Sequence, residues 1–379
     1  MNVEDLISPH LREMLPYTPI VPFDVLTRRL GLPREQIVKL DANENPYGPS
    51  PRALEALRNA DTLHIYPDPD QTALREAISS FVGVPTENLL CGSGVDEVID
   101  IIGRAFVSPG EAIFDLPPTF GMYRFEADIV NAQYMAVPRN ANFSIDVQSV
   151  LNHVRTTPRA KLLFVCNPNN PDGSTVRDED LLRLLTLPLM VILDEAYIDF
   201  SSQPSRAGWV LQHENLIVLR TFSKLAGLAG LRVGYGIVPQ QIIRHLWKIK
   251  QPYTPNTAGS LAVEAALSDP DYLHQTVKAL IGERTRLGEL LSEFAGLTVY
   301  PSEANFLLCR IDEQQWGISA FQLKQALEQH GVLVRYFNRD GLRNCIRVSV
   351  GRALETDRLV SVLHQIHDGM ARGAKEVIS

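Results

Sequence analysis

From about Pro51 to Leu267 the chain alternates short apolar runs with longer segments of helical period. The runs NLLCG, EAIFDL, AQYMAV, AKLLFVCN, LMVILDEAY, NLIVLR and RVGYGIV begin at Asn88, Glu111, Ala132, Ala160, Leu189, Asn215 and Arg232. Short runs that are apolar almost throughout suit strands buried on both faces, and strands alternating with helices build a mostly parallel sheet covered by helices. Beyond Leu267 the rhythm changes. A long helical segment from about Asp271 to Ala295 leads into LTVYPSEANFLLCRI, a helix around SAFQLKQALEQHG, the strands VLVRYF and CIRVSVG, and a last helix from about Glu355. The pattern predicts an α/β fold: a large domain over residues 41–270 with a mostly parallel sheet, and a smaller α/β domain from residues 1–40, with an N-terminal arm, and 271–379.

Composition narrows the function classes. A chain of 379 residues with 45% hydrophobic positions has enough to bury two cores. Its net charge of -8, with no basic cluster, is not the footprint of a nucleic-acid binder. The opening MNVEDLISPHLREMLPY lacks a basic start followed by a long apolar run, so no signal peptide is expected. Nor is a membrane span, because the most apolar stretch is interrupted by Arg183 and Pro188. The four cysteines, Cys91, Cys166, Cys309 and Cys345, are far apart and without metal-type spacing, and the nine histidines give no zinc signature. No metal is expected, and a reducing, cytoplasmic setting is.

The candidate chemistry lies where strands end. AKLLFVCN runs into NPNNPDG, which contains Asn170; LMVILD ends at Asp194 with Tyr197 three residues on; NLIVLR ends beside TFSK, which contains Lys224. Taken singly, Asn170 could shape a turn, Asp194 could cap a helix, Tyr197 could pack and Lys224 could snorkel. Delivered by successive strands to one sheet edge, they stand where open α/β sheets bind ligands. The GSGV sequence at Gly92 suggests a dinucleotide loop, but Asp96 and Glu97 follow it and the last glycine of that fingerprint is missing.

In these motifs the chain resembles the fold-type-I pyridoxal 5'-phosphate enzymes, most closely the histidinol-phosphate aminotransferase family. The resemblance runs from LPYTPIVPFDVLTRRLGL and LDANENPYGPSP through YPDPDQTALREAIS, GSGVDEVIDIIGRAF, PPTFGMY, CNPNNPDG, VILDEAYIDF and TFSKLAGLAGLRVGYG to CIRVSVG. It implies that Lys224 is the amine that holds the cofactor aldehyde and moves a proton, with Asp194 facing the pyridine nitrogen and Asn170 and Tyr197 at the ring's 3'-oxygen. Lys224, Asp194 and Tyr197 are thus the expected catalytic group. For the cofactor phosphate it implies backbone amides of Gly94, Val95 and Asp96, hydroxyls of Thr221 and Ser223, and the guanidinium of Arg232. Phe120 takes the place of a ring-stacking aromatic that is often Tyr in the family. Tyr66 matches a residue that reaches the phosphate of the neighbouring subunit, so a homodimer is implied.

For substrate, the resemblance implies that Arg347 grips a carboxylate and that Arg335 meets the phosphate of histidinol phosphate, with Tyr17 and Tyr253 lining the pocket. The expected reaction passes an amino group between histidinol phosphate and 2-oxoglutarate, a small-molecule donor and a 2-oxo acid acceptor. An aromatic transaminase and a threonine-phosphate decarboxylase share the catalytic residues. A pyridoxal-binding regulator would need a DNA-binding domain ahead of the enzyme-like body, and no helix-turn-helix with a basic patch is visible there.

Overall fold

The computed structural model describes residues 1–17 and 19–376. Its strands, in chain order, are β1 (Val38–Leu40), β2 (Leu89–Gly92), β3 (Ala112–Asp115), β4 (Gln133–Ala136), β5 (Ala160–Cys166) and β6 (Met190–Asp194), followed by β7 (Leu216–Thr221), β8 (Gly234–Ile237), β9 (Leu297–Val299), β10 (Phe306–Ile311), β11 (Val332–Tyr336) and β12 (Cys345–Ser349). They form a seven-stranded sheet of order β2-β8-β7-β6-β5-β3-β4 and a five-stranded sheet of order β1-β11-β12-β10-β9. This is the α/β architecture that the periodicity predicts. The described residues fall into two units, one within Met1–Thr18, Gly48–Asn170 and Ser174–His274, the other within Pro19–Tyr47, Pro171–Gly173 and Gln275–Ser379.

In the first unit, β4, β3, β5, β6 and β7 are parallel, and β8 runs antiparallel between β7 and β2. All five residues of β6 are buried, as a strand covered on both faces requires. Ile192 of β6 packs in one core with Phe164 of β5, Ile217 of β7 and Val98, Ile99 and Ile102 of the helix Val95–Phe106. Truncating a side chain such as Ile192 to Ala in a core of this kind costs about 2–5 kcal/mol. Gly234 lets β8 approach the start of that helix, because a Cβ there would lie 2.5 Å from the Val95 nitrogen. The chain's first residues pack in this unit too: a His10 ring nitrogen lies 3.3 Å from the Ile129 carbonyl oxygen, and Tyr17 meets Phe125 edge-on at 6.4 Å. The N-terminal segment, expected to join the small domain whole, is therefore divided between the two units.

In the second unit, β1 pairs parallel with β11, an element that the sequence pattern does not predict. Its three residues, VKL, are too few to show a strand period, and Lys39 is held at its side by Asp41 (3.1 Å) and Glu44 (2.9 Å). The other neighbours in this sheet are antiparallel.

Candidate active site

The carboxyl ends of β5, β6 and β7 lie side by side, with Cys166 in register with Asp194 and Asp194 with Leu219. β7 ends at Thr221 and passes into the helical turn Phe222–Leu225, which carries Lys224. Thr221 starts that turn by accepting the Ser223 backbone N–H at 3.1 Å. Lys224 is half-buried, with Nζ 6.0 Å from the centre of the Tyr197 ring. The Tyr197 hydroxyl accepts a hydrogen bond from Asn170 Nδ2 at 3.2 Å, and both side chains are buried. The structure thus brings Asn170, Tyr197 and Lys224 into one chain of contacts.

Asp194 is only 2% exposed. Burial raises its pKa to about 6, against the hydrogen bonds from the Tyr123 hydroxyl (2.7 Å, to Oδ2) and the Ala196 backbone N–H (3.0 Å, to Oδ1), which favour the charged form. An aspartate held in a dry site with both oxygens oriented is suited to face a cationic ring nitrogen. Tyr123 escaped the sequence reading although it lies in the PPTFGMY motif; the signal was its place three residues after Phe120, the helical spacing that puts the two aromatics together. The two rings meet edge-on at 5.6 Å.

Gly94 precedes the helix Val95–Phe106 with φ of 80°, and among the described residues no side chain caps the helix's first backbone amides. Arg232 leans over this turn: a Cβ on Gly94 would lie 2.6 Å from its Nη2, so a side chain would fill the cradle. The guanidinium pairs with Asp96 at 3.1 Å and remains half-exposed, and Ser223 is buried near the end of β7. Helix amides, two hydroxyls and a guanidinium form the donor set that a phosphate dianion needs, and with the amine and the buried carboxylate they fit pyridoxal 5'-phosphate.

The remaining predicted residues occupy other places. Phe120 is half-buried against the core of the first unit. Tyr66 is 78% exposed and stacks on Tyr253 with ring centres 4.4 Å apart. Tyr17 is exposed beside Phe125. In the second unit, Arg347 is 6% exposed on β12, donates to the Asp41 carbonyl at 2.8 Å, and lies against Phe306 at 5.2 Å and Phe337 at 5.6 Å. Arg335 on β11 lies 5.9 Å from the Phe337 ring centre.

A parallel sheet that sets an amine, a buried carboxylate and an amide–phenol pair at neighbouring strand ends, beside an uncapped helix start, fits the class of pyridoxal-phosphate-dependent enzymes. Residues 35–363 match the family Aminotransferase class I and II. The chain is 49% identical to a chloroplastic histidinol-phosphate aminotransferase of Nicotiana tabacum over 95% of this chain and 86% of that one. It is also 49% identical to a histidinol-phosphate aminotransferase of Roseiflexus castenholzii over 96% and 99% of the two chains. The crystal structure of histidinol-phosphate aminotransferase from Sinorhizobium meliloti in complex with pyridoxal 5'-phosphate superposes with a TM-score of 0.86 at 27% identity, over 96% of this chain and 98% of that one. The chain belongs to the histidinol-phosphate aminotransferase family, and it is an aminotransferase that uses pyridoxal 5'-phosphate.

Proposed function

We propose that the residues at the ends of β5, β6 and β7 hold the cofactor and carry out amino transfer between histidinol phosphate and 2-oxoglutarate. The observation that carries the assignment is the buried carboxylate of Asp194 on the strand beside the one that delivers Lys224. When bound, the cofactor supplies an aldehyde that accepts the amino group and a ring that takes up the electron pair left by proton loss. Lys224 would hold the cofactor by its aldehyde, and its amine, once freed, would carry a proton between the substrate carbon that bears nitrogen and the cofactor's aldehyde carbon, in opposite directions in the two half-reactions. Asp194 keeps the pyridine nitrogen protonated. Tyr197 and Asn170 would donate to the ring oxygen, Phe120 would pack on the ring, and Gly94, Val95, Asp96, Thr221, Ser223 and Arg232 would hold the phosphate.

Arg347 and Arg335 supply cations for the anionic groups of the two substrates, and Tyr17 and Tyr253 border them. A homodimer, with Tyr66 serving its partner, accords with the exposure of Tyr66 together with Leu63 (58%) and Ile65 (55%), since an apolar strip on a protein surface calls for a cover. A reducing cytoplasm accords with four cysteines that are all buried and free. Among the described residues no helix is long and apolar enough to cross a membrane.

Borohydride reduction of the purified protein followed by peptide mass analysis tests the assignment. The cofactor mass is expected on the peptide that contains Lys224. Attachment at another lysine, or none, overturns it.

A further inference from the structure

We infer that Tyr123 is a positioning residue for Asp194: its hydroxyl, donating to Asp194 Oδ2 at 2.7 Å, fixes the direction of the carboxylate and favours its charged form. The inference rests on the reading of Asp194 as the partner of the cofactor's ring nitrogen.

The phenol is built to act as a donor. Tyr123 is fully buried in the helix Met122–Ile129, and its ring stacks on Phe164 of β5 with centres 4.6 Å apart and planes 9° from parallel. Phe120 closes a second side edge-on at 85°. Burial, and next the neighbouring Asp194 carboxylate, push the Tyr123 hydroxyl well above its usual 10, so it stays protonated. In its contact with Asp194 it therefore acts as the donor. The opposite oxygen, Oδ1, takes the Ala196 N–H, so the carboxylate is held from two sides and cannot rotate without leaving a buried donor unmatched.

Other ionisable groups around Asp194 do not replace this donor. Cys166 on β5, in register with Asp194, is buried and pushed above its usual range by burial first and by Asp194 second; its thiol donates to the Pro168 carbonyl at 3.3 Å. Asp96, on the helix Val95–Phe106, acts on Asp194 in the opposite sense, raising it, and is itself paired with Arg232. Lys224 follows β7, the other neighbouring strand. Of the side chains that hydrogen-bond Asp194 among the described residues, Tyr123 is the one that favours the anion.

The test measures the affinity of the full chain, freed of cofactor, for pyridoxamine 5'-phosphate, which cannot condense with Lys224. Tyr123→Phe keeps the ring on Phe164 and removes the hydroxyl. The ratio of the variant's dissociation constant to that of the parent cancels the ligand's own titrations. Losing a donor to the charged form raises the pH at which Asp194 protonates by about one unit, so the ratio should grow about tenfold from about pH 8 to about pH 5. In an Asp194→Asn background the same change should give a ratio independent of pH. A ratio that stays flat in the Asp194 background, while Asp194→Asn alone does alter the pH dependence, overturns the role of Tyr123 and leaves that of Asp194 standing. An unaltered pH dependence in Asp194→Asn overturns both. If Tyr123→Phe does not fold, Phe164→Leu, which keeps the hydroxyl but removes the ring it stacks on, must move the ratio in the same sense by less, and no movement there overturns the inference.

Discussion

Arg335 and Arg347 stand directly opposite each other on the antiparallel strands β11 and β12, with Phe337 against both guanidinium groups. Like charges placed so cost a sheet some tenths of a kcal/mol, and a bound anion relieves that repulsion. Histidinol phosphate carries a phosphate and no carboxylate on the carbon that bears its amine, whereas glutamate carries two carboxylates and no phosphate. If Arg335 chiefly serves the phosphate, Arg335→Ala should slow the histidinol-phosphate half-reaction about ten- to a hundredfold in kcat/KM, the worth of one charge-assisted contact of about 1.5–3 kcal/mol. The glutamate half-reaction should fall by less. Single-turnover rates for each half-reaction check this, and equal losses would remove the distinction.

Arg347→Ala should damage both half-reactions, with the larger loss for glutamate. The side chain is buried, donates to the Asp41 carbonyl and packs on two phenylalanine rings, so its removal also leaves a cavity. Arg347→Lys separates the two effects. It keeps charge but not the two-pronged geometry, and should restore stability, read from thermal unfolding, more fully than it restores turnover of glutamate.

The large sheet was legible because its strands are nearly unbroken apolar runs between helical periods, and Met190–Asp194 is the clearest of them. Asp194, Asn170, Tyr197 and Lys224 stand out in the sequence because each lies at, or shortly beyond, the end of such a run. Tyr123 was hidden for the same reason: it sits inside a helix, among Met122, Phe125 and Ala127, where a tyrosine reads as packing. β1 was hidden by its length, since its pairing is decided by the distant Val332–Val334 and not by its own three residues. The division of the N-terminal segment depends on contacts with Phe125 and Ile129, more than a hundred positions away in sequence.

Asp194→Asn keeps the shape of the side chain and the possibility of accepting from Tyr123 while abolishing the charge. Proton removal from the substrate should slow by several orders of magnitude, with the substrate still bound, because the ring nitrogen is no longer kept protonated. Rapid-mixing absorbance with substrate deuterated at the carbon that bears the amine checks it. An unchanged rate and isotope effect would show that Asp194 does not face the ring.

Glu126 gives a prediction about stability. It is 3% exposed on the helix Met122–Ile129, its Oε1 has no hydrogen-bond partner among the described residues, and burial first, then Asp100, raises it from 4.5 to about 8. Between those values the folded protein keeps a proton that the unfolded chain has released, so this group makes stability fall as pH rises across the window. Glu126→Gln removes the dependence. Its melting temperature should match the parent's near pH 4.5 and exceed it near pH 9, by an amount on the order of a few kcal/mol in unfolding free energy. A variant less stable than the parent at the higher pH would show that the carboxylate is solvated or paired.

Discrimination for histidinol phosphate is read from kcat/KM for histidinol phosphate, phenylalanine, tyrosine and threonine phosphate under one set of conditions with 2-oxoglutarate as acceptor. That ratio reports transition-state discrimination whatever the binding of each compound. Loss of the phosphate contact alone is worth about ten- to a hundredfold, so histidinol phosphate should exceed phenylalanine and tyrosine by at least about that factor, and threonine phosphate should release no carbon dioxide. Phenylalanine or tyrosine turned over as efficiently as histidinol phosphate, or decarboxylation of threonine phosphate, would contradict the account.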